Sequence, residues 1–397
     1  MALMKTYRVA ILGCRSRGEA AARAYHAHPR CEIVGLCDLV AERRDALGNT
    51  LGVKARFADL DDMMRQTQPD IVAIPTGTEF HFDLGMKVVE YGAHIDVEKP
   101  MCATLLQADA LLKKASEKGV QIAVHHQGRS GAALQAVAKA FREGKIGQLR
   151  HIVASGKGYY GGYGLMNIGT HSINAMLELT GPCQRVLADV QTNGKPITPQ
   201  DVLPSPNGMG IIAGEDMTAT LTFDNRVTAT LLQHRFPEVD STAHGFEVLG
   251  TTGRLFWRNT GAWWMPTPHF NPEVVEAKWQ PLDLVYPEHY DPNGLAAADE
   301  YLYVNVYVEA LDHNRPHISS GQQGLHVMEI MMAIFESGAY QKAVELPQQD
   351  RDHPLMRWCQ AAGIKSLPEM PRPYEAWLAK EGERLGWADR KYRVHKI

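Results

Sequence analysis

The six cysteines of this 397-residue sequence form no CxxC pair and follow no regular spacing. They stand at positions 14, 31, 37, 102, 183 and 359. Zinc knuckles and disulfide frameworks both need paired or regularly spaced cysteines, so neither is indicated and we expect no metal site. Reduced thiols in a cytoplasmic protein are the simplest interpretation.

The sequence also lacks a charge excess of one sign and a long hydrophobic run. The net charge is −4, from 41 Lys and Arg against 45 Asp and Glu, and the basic residues are scattered. A broad field that would attract nucleic acid or anionic lipid is therefore missing, and we expect neither partner. No apolar run approaches the roughly 20 residues of a membrane helix. No apolar signal segment precedes the first strand pattern, so we expect the mature chain to begin near Met1.

Short apolar runs alternate with helix-length segments through the first 125 residues. This alternation predicts βαβ units in a doubly wound parallel sheet with right-handed crossovers. The predicted strands are rich in Val and Ile and cover residues 7–12, 32–37, 70–74, 93–97 and 121–125. The predicted helices between them include Glu19–His28, Val40–Leu47 and Phe82–Tyr91.

After about residue 126 the β-like runs follow one another, which favours a mostly antiparallel sheet. These runs cover residues 149–157, 184–191, 215–223, 226–234, 244–250 and 253–258. Residues 223–227 resemble a hairpin turn, because Asp224 and Asn225 readily adopt turn conformations. Long loops are predicted at 194–214 and 261–294, and helices at 296–313 and 322–339.

Two domains and an extension follow from these patterns. The fold class is α/β, with an N-terminal Rossmann domain over 1–125 and a C-terminal α/β domain over 126–347 built on a large, mostly antiparallel sheet. Residues 348–397 form a C-terminal extension rich in Pro and Trp. Its Arg357-Trp358 and Tyr374–Trp377 elements could contact a neighbouring subunit or cover a pocket.

A glycine-containing turn follows the first predicted strand. Gly13 and Gly18 hold the first and third positions of a dinucleotide-binding turn, but Arg15 holds the second, where a side chain crowds the phosphates. Such a turn brings the backbone of Ser16 and Arg17 close to a pyrophosphate at the helix N-terminus. Alone, this six-residue match is a weak signal.

Asp38 strengthens the prediction of a dinucleotide site. It lies 20 residues after Gly18, at the end of the second strand, where a carboxylate accepts both ribose hydroxyls. Because it repels a 2′-phosphate, NAD is favoured over NADP. Arg15 and Arg17 weaken that preference, since either could reach a phosphate. The alternative is an aspartate that merely caps the next helix.

At this point the chain resembles the Gfo/Idh/MocA family, the glucose-fructose oxidoreductase and inositol dehydrogenase group. The resemblance covers residues 7–347 and rests on ILGCRSRG at 11–18, CD at 37–38, IPTGTEFH at 74–81, HIDVEKP at 94–100, NIGTHSIN at 167–174 and GQQGLHVMEIMMAIFESG at 321–338. It implies a Rossmann domain, an open sheet that serves in a homo-oligomer (a dimer or tetramer), and hydride transfer to or from sugars and cyclitols.

The resemblance assigns roles at the ends of the Rossmann strands. It places Thr76, Gly77 and His81 beside the cofactor, although the family usually has proline where Gly77 stands. Glu98 and Lys99 match fully, and the family's lysine bonds the reacting hydroxyl on the nicotinamide side. A buried ammonium favours alkoxide character in the substrate, which suits this role. The alternative is a solvated surface lysine.

A departure lies in the second domain. The family usually shows Asp-x-x-x-His-x-x-Asp on one helix, whereas this chain has Asn167, His171 and Asn174. Their spacing places all three on one helical face. His171 remains a candidate proton acceptor and Asn167 a substrate contact, but asparagine cannot offset an imidazolium. We therefore expect a lower pKa for His171 than in an aspartate-bearing relative; the alternative is a core histidine.

Further substrate contacts are predicted from position and composition. One set follows the last Rossmann strand, where open sheets bind ligands, and comprises His125, His126 and Arg129. A glycine-rich loop contributes aromatic side chains suited to sugar faces, or to an oligomer contact, at Tyr159, Tyr160 and Tyr163. Weaker candidates are His234, Arg235, Trp263 and Trp264.

Three functions remain open from the sequence. The first is an NAD(H)-dependent oxidoreductase that acts on a secondary alcohol or ketone of a sugar, glycoside or cyclitol. The second is a redox-neutral enzyme with tightly bound NAD that transiently oxidises a sugar, such as a glycosidase, lyase or epimerase. The third is a dinucleotide-binding sensor without turnover. The identity of the sugar and the direction of reaction are not specified.

Overall fold

The computed structural model describes residues 5–275 and 277–387 and the backbone of 393–395. These residues form two compact units. The first comprises the described part of Met1–Cys102 with Gln107–Ala132 and Val285–Leu325. The second comprises Ala103–Leu106, Ala133–Leu284 and the described part of His326–Ile397.

The strands, in chain order, are β1 (Tyr7–Leu12), β2 (Cys31–Cys37), β3 (Arg56–Phe57), β4 (Ile71–Ile74), β5 (His94–Val97), β6 (Ile122–Val124), β7 (Leu149–Ser155), β8 (Cys183–Thr192), β9 (Lys195–Pro196), β10 (Leu203–Pro204), β11 (Ile211–Ile212), β12 (Asp216–Phe223), β13 (Thr228–His234), β14 (Glu238–Asp240), β15 (Gly245–Gly250), β16 (Arg254–Arg258), β17 (Gly261–Met265), β18 (Gln280–Pro281), β19 (Val344–Glu345) and β20 (Arg393–His395).

The α-helices are α1 (Ser16–Ala27), α2 (Ala41–Leu51), α3 (Leu60–Thr67), α4 (Thr78–Glu90), α5 (Leu105–Lys118), α6 (Gln127–Ser130), α7 (Ala132–Arg142), α8 (Gly161–Gly164), α9 (Thr170–Thr180), α10 (Ala298–Asp312), α11 (Gly321–Tyr340), α12 (Pro354–Ala361) and α13 (Tyr374–Arg384). A π-helical turn, Leu165–Gly169, joins α8 to α9.

The first unit contains the predicted Rossmann sheet. Its six strands are all parallel, in the order β3-β2-β1-β4-β5-β6. Every residue of β4 is buried, as expected for a parallel strand covered on both faces. The prediction of a doubly wound sheet is confirmed, although the sequence pattern missed β3, which is only two residues long.

A helix from late in the chain completes this unit. Tyr301, Tyr303 and Tyr307 of α10 belong to one buried cluster with side chains of β1 and α1. Residues 285–325 therefore form part of the Rossmann unit, whereas the predicted linear division placed them in the second domain. Apolar periodicity shows that a helix exists but not which core it joins.

The second unit is built on a ten-stranded sheet. The main path runs β18-β17-β16-β15-β7-β13-β12-β8-β19, with β9 paired to β8. Only β7 and β13 pair in parallel within the described sheet, so the prediction of a mostly antiparallel sheet is confirmed. Burial alternates along β13, and one face of that strand therefore faces the core.

Both predicted long loops contain short strands. Residues 194–214 include β9, β10 and β11, and 261–294 include β17 and β18. Most of these strands have two residues, which is too short for alternation to be recognised in the sequence. The predicted extension contains α12 and α13, and α13 buries Trp377, whose indole N–H donates to the Pro204 carbonyl at 2.8 Å.

No helix among the described residues has the length and apolar character needed to cross a membrane.

The predicted hairpin turn at 223–227 connects β12 to β13. The Val227 carbonyl accepts a hydrogen bond from the Phe223 N–H at 2.9 Å, and Thr222 lies opposite Thr228. The left-handed position is Arg226, with φ of 61°, whereas the sequence directed attention to Asp224 and Asn225. A non-glycine residue pays a steric cost there because its Cβ crowds the backbone.

We expect Arg226→Gly to stabilise the second unit, because glycine adopts positive φ freely. The expected gain in free energy of unfolding is about 1 kcal/mol. It would be measured as a higher midpoint of guanidinium unfolding. Asp224→Gly in the same turn is the control, and should bring no gain because it only adds freedom to the unfolded chain. Equal shifts for both variants would contradict the explanation.

Candidate active site

The turn between β1 and α1 has the geometry of a phosphate-binding loop. Gly13 has φ of 114°, which a side chain rarely tolerates. A Cβ on Gly18 would lie 1.8 Å from the Gly13 carbonyl oxygen, so the third glycine is required for the close turn. Arg15, at the second glycine position, is exposed at the N-cap of α1 and makes no side-chain capping bond.

Asp38 is held at the edge of this turn. One carboxylate oxygen accepts the Cys14 N–H and the other accepts the Val40 N–H, both at 2.8 Å. Each oxygen keeps a further lone pair, as a ribose diol requires. Two arginines of α2 flank the same residue: Arg43 lies 3.9 Å from the carboxylate, and Arg44 donates to the Asp38 carbonyl at 3.0 Å. Neither arginine is among the residues predicted from the sequence.

The segment after β4 adjoins the glycine turn. The methyl group of Thr76 would lie 3.3 Å from a Cβ on Gly13, and the buried Thr76 hydroxyl has no partner among the described residues. Gly77 has φ of −71°, which proline would also adopt, so the departure from the family residue preserves the backbone. His81 is fully buried between the carbonyls of Thr76 and Pro100, at 3.1 and 2.9 Å. Burial lowers its pKa.

A continuous charge network includes Glu98 at the end of β5; its carboxylates and His125 are buried, whereas the Arg17 side chain is 40% exposed. His125 contacts Asp96 at 2.9 Å through Nδ1 and Glu300 at 2.7 Å through Nε2. Arg17 donates to Glu300 at 2.9 Å and to Glu98 at 2.5 Å. Tyr25 and Tyr303 donate to the Asp96 carboxylate at 3.0 and 2.9 Å. The network thus joins the ends of β5 and β6 to α1 and α10.

The opposite charges in this network stabilise one another's ionised forms. Burial disfavours a charged His125, but the carboxylates of Asp96 and Glu300 outweigh it and raise its pKa to about 10. Burial favours the neutral acid at Glu300, yet His125 and Arg17 lower its pKa to about 2. At neutral pH, His125 is therefore an imidazolium between two carboxylates.

Two predictions change here. The sequence predicts that Arg17 can reach a phosphate, whereas its guanidinium is paired with Glu98 and Glu300. The sequence predicts a substrate contact at His125, whereas this residue is 2% exposed and both its ring nitrogens have partners. Glu300, the residue that links them, was not predicted: in the sequence it resembles an ordinary acidic residue in the first turn of a helix.

One group of interacting side chains in the first unit consists of His126, Arg129 and Lys99. His126 is 2% exposed, and burial together with the positive charges of Lys99 and Arg129 lowers its pKa well below the ordinary value. Arg129 donates to Gln323 at 3.1 Å. A neutral His126 beside two cations is poorly suited to accept a proton.

In the second unit, the predicted catalytic residues are more exposed than their neighbours in the sequence. Within 161–177, every residue except Asn167 and His171 is buried. Asn167 lies in the π-helical turn and His171 at the start of α9. Such turns occur often at functional sites. Asn174 was predicted to share their face, but it is 0% exposed and belongs to the core.

The tyrosines of the glycine-rich loop contact the C-terminal extension. Tyr160 is fully buried, and its hydroxyl lies 3.3 Å from Glu381 of α13. Tyr163 is 5% exposed and stacks on Tyr374, with ring centroids 4.8 Å apart. Tyr159 remains partly exposed. All three are predicted substrate contacts or oligomer contacts; the packing against α13 gives Tyr160 and Tyr163 structural roles.

The four weaker candidates also have partners. His234 lies 2.9 Å from the Thr218 hydroxyl, and Arg235 forms a buried ion pair with Glu215 at 2.7 Å. Trp264 donates to the Lys145 carbonyl, and Trp263 packs near Phe256 on the sheet. Each of the four thus has a contact within the second unit.

The first unit fits a bound dinucleotide. The close Gly13–Gly18 turn, the uncapped start of α1, the Asp38 carboxylate and the orphaned Thr76 hydroxyl are the features such a cofactor needs. The described side chains include no group of three or more His, Cys, Asp or Glu that could hold a metal ion.

Comparison with known sequences agrees with this geometry. Residues 7–126 match the profile described as an oxidoreductase family with an NAD-binding Rossmann fold, and residues 134–256 match the Gfo/Idh/MocA C-terminal domain. The chain belongs to the Gfo/Idh/MocA family. Its N-terminal unit is therefore an NAD-binding fold.

Curated Gfo/Idh/MocA relatives match only part of the chain. D-apiose dehydrogenase of Paraburkholderia graminis is 32% identical over 144 residues, which are 36% of this chain and 38% of that protein. The 1,5-anhydro-D-fructose reductase of Ensifer adhaerens is 29% identical over 117 residues, covering 30% and 35%. The matches thus span little more than a third of these relatives.

Solved structures extend the likeness to the fold as a whole. Levoglucosan dehydrogenase, solved with NADH and levoglucosan, matches 86% of this chain and 100% of that chain. Its TM-score is 0.68 at 18% identity, which establishes a shared fold.

We expect Glu300→Gln to destabilise the first unit, because it leaves His125 and Arg17 with one carboxylate fewer. Breaking a buried pair costs about 3–5 kcal/mol of unfolding free energy at pH 7. The raised pKa of His125 adds stability that is complete below its ordinary pKa of 6.5 and is lost as pH rises through about 10. The difference in unfolding free energy between wild type and Glu300→Gln should therefore decrease from pH 7 to pH 10.

Chemical unfolding at several pH values measures this difference. Glu309→Gln is the matched control, since Glu309 lies exposed on the same helix, and should cost less than about 1 kcal/mol. If the difference in unfolding free energy between wild type and Glu300→Gln stayed constant up to pH 10, Glu300 would not be a cause of the raised pKa of His125.

Proposed function

We propose that this protein is an NAD(H)-dependent oxidoreductase that transfers a hydride between nicotinamide and a secondary alcohol or ketone of a sugar, glycoside or cyclitol. The observation that carries the proposal is the burial pattern of 161–177, which leaves only Asn167 and His171 accessible. An accessible histidine on the helix that this family uses for proton transfer supports a working enzyme over a sensor. The sugar dehydrogenase and reductase named above support the substrate class.

Each residue has a proposed role in alcohol oxidation. Bound NAD supplies the acceptor for the hydride that leaves the carbinol carbon. The Lys99 ammonium polarises the reacting oxygen and favours its alkoxide form. Neutral His171 accepts the hydroxyl proton, so the alcohol becomes a ketone with the loss of one proton and one hydride. Asn167 positions the substrate by hydrogen bonding. In ketone reduction the same groups act in reverse.

NAD is the proposed cofactor in preference to NADP. Asp38 occupies the ribose-binding position and its carboxylate opposes a 2′-phosphate. Arg17 is paired with Glu98 and Glu300, and so it no longer weakens this preference. Arg43, 3.9 Å from the Asp38 carboxylate, Arg44, which donates to the Asp38 carbonyl, and the exposed Arg15 oppose this preference because each carries a positive charge. We also propose a cytoplasmic homo-oligomer, a dimer or tetramer, as the family resemblance implies.

Replacement of either reacting residue should remove turnover, and His171→Ala should leave cofactor binding intact because His171 lies in the second unit. We expect Lys99→Met and His171→Ala each to lower kcat by about 100- to 10,000-fold, because proton transfer and oxygen polarisation are lost. A panel of monosaccharides, glycosides and inositols is assayed with NAD by absorbance of NADH. NADH binding is followed separately by fluorescence.

The controls for these variants are exposed residues of the same type. Lys113→Met on α5 and His269→Ala in the second unit should both keep wild-type turnover. Stoichiometric NADH release by the wild type separates a dehydrogenase from a redox-neutral enzyme. Undiminished turnover in both Lys99→Met and His171→Ala would refute the assignment.

Removal of the Asp38 charge should alter cofactor selection. We expect Asp38→Asn to weaken NADH binding about tenfold, since one charged ribose contact is lost, and to weaken NADPH less or strengthen it. Fluorescence titration with both cofactors gives the ratio of dissociation constants. Asp45→Asn on the exposed side of α2 is the control and should leave this ratio unchanged. An unchanged ratio in Asp38→Asn would exclude Asp38 as the selector.

A further inference from the structure

The glycine-rich loop 156–164 leads directly into the segment that carries Asn167 and His171. Five of its nine residues are glycine, which gives the isolated loop much conformational freedom. All the contacts described next lie within the second unit. The loop therefore needs contacts from elsewhere in this unit to adopt one conformation.

One side of the loop packs on the sheet, mainly through backbone. Gly161 and Gly162 donate to the carbonyls of Glu215 and Gly214 at 2.7 and 2.9 Å. A Cβ on Gly161 would lie 2.7 Å from the Gln233 carbonyl oxygen, so the glycine is needed for this approach. These glycines have no side chains with which to fix the other side of the loop.

The C-terminal extension covers that other side, and Tyr374 makes the central contact. Its ring stacks on Tyr163 at 4.8 Å, and it meets the edge of Tyr159 at 5.1 Å. Its hydroxyl oxygen accepts the backbone N–H of Tyr160 at 2.9 Å. One side chain thus contacts three tyrosines of the loop.

The rest of α13 anchors this contact in the core. Trp377 is 0% exposed and meets the ring of Tyr160 edge-on at 4.9 Å. Glu381, also 0% exposed, lies 3.3 Å from the Tyr160 hydroxyl and pairs with Arg384. A helix held this deeply can fix the position of Tyr374.

We propose that Tyr374 is a positioning residue, which holds loop 156–164 and thereby sets the position of Asn167 and His171. The two functional residues begin three positions after the loop ends, through a continuous helical segment. A shift of the loop therefore moves them, and misplacement by about 1 Å can lower a rate about 100-fold. The catalytic consequence rests on the proposed function, whereas the contact itself does not.

The experiment compares Tyr374→Leu with Tyr374→Phe. Leucine removes the ring contacts and the acceptor, whereas phenylalanine removes only the hydroxyl. Amide hydrogen exchange is measured over 156–171, where we expect Leu to accelerate exchange at 159–165 about tenfold and Phe to accelerate mainly the Tyr160 amide. For the substrate found in the panel, Leu should lower kcat at least about tenfold, and Phe should restore most of it.

Two readouts separate positioning from general destabilisation. The KM for NAD and the fluorescence Kd for NADH should stay within about twofold in both variants, since the cofactor site lies in the first unit. Glu375→Gln, at the exposed neighbouring position, is the matched control and should match wild type. Trp377→Phe keeps an aromatic ring beside Tyr160. It should change exchange at 159–165 and kcat in the same directions as Tyr374→Leu, but by less.

Two results would overturn the proposal. One is unchanged exchange at 159–165 in Tyr374→Leu; the other is faster exchange there with wild-type kcat. A wild-type protein that binds NADH but turns over no sugar would count against the proposed function. The exchange result would still decide whether Tyr374 holds the loop.

Discussion

The first unit depends on a buried imidazolium held between two carboxylates. His125 pairs with Asp96 and Glu300, and Arg17 joins Glu300 to Glu98. Removal of His125, Asp96 or Glu300 alone leaves the remaining buried groups with one opposite charge fewer. The start of α1 and the Glu98-Lys99 strand end, both predicted to contact the cofactor, are thereby tied to one set of charges. This network also explains why a helix from residue 298 onwards belongs to the Rossmann unit.

The second unit positions its candidate residues by different means. Its glycine-rich loop approaches the sheet through backbone groups, and aromatic side chains of α13 cover the other side. The first unit thus uses a charge network, whereas the second unit uses aromatic packing. Both arrangements place the supporting residues far along the chain from the residues that they support.

The three departures from the family pattern lie in different structural settings. Asn174 is fully buried, so the residue that stands in place of the family's second aspartate lies in the core. Asn167 is partly exposed and remains at the accessible position beside His171. Gly77 keeps a φ that proline would adopt. Of these three departures, Asn167 is therefore the one at an accessible position of the proposed site.

The sequence by itself determined the parallel sheet, the mixed sheet and the Gly13–Gly18 turn with Asp38, because each depends on local periodicity or short spacing. The tertiary structure decided which residues support them. Glu300 meets His125 across 175 residues, and Tyr374 meets Tyr160 across 214. Contacts at such separations are set by the packing of whole elements, and a single sequence carries no periodic signal for them.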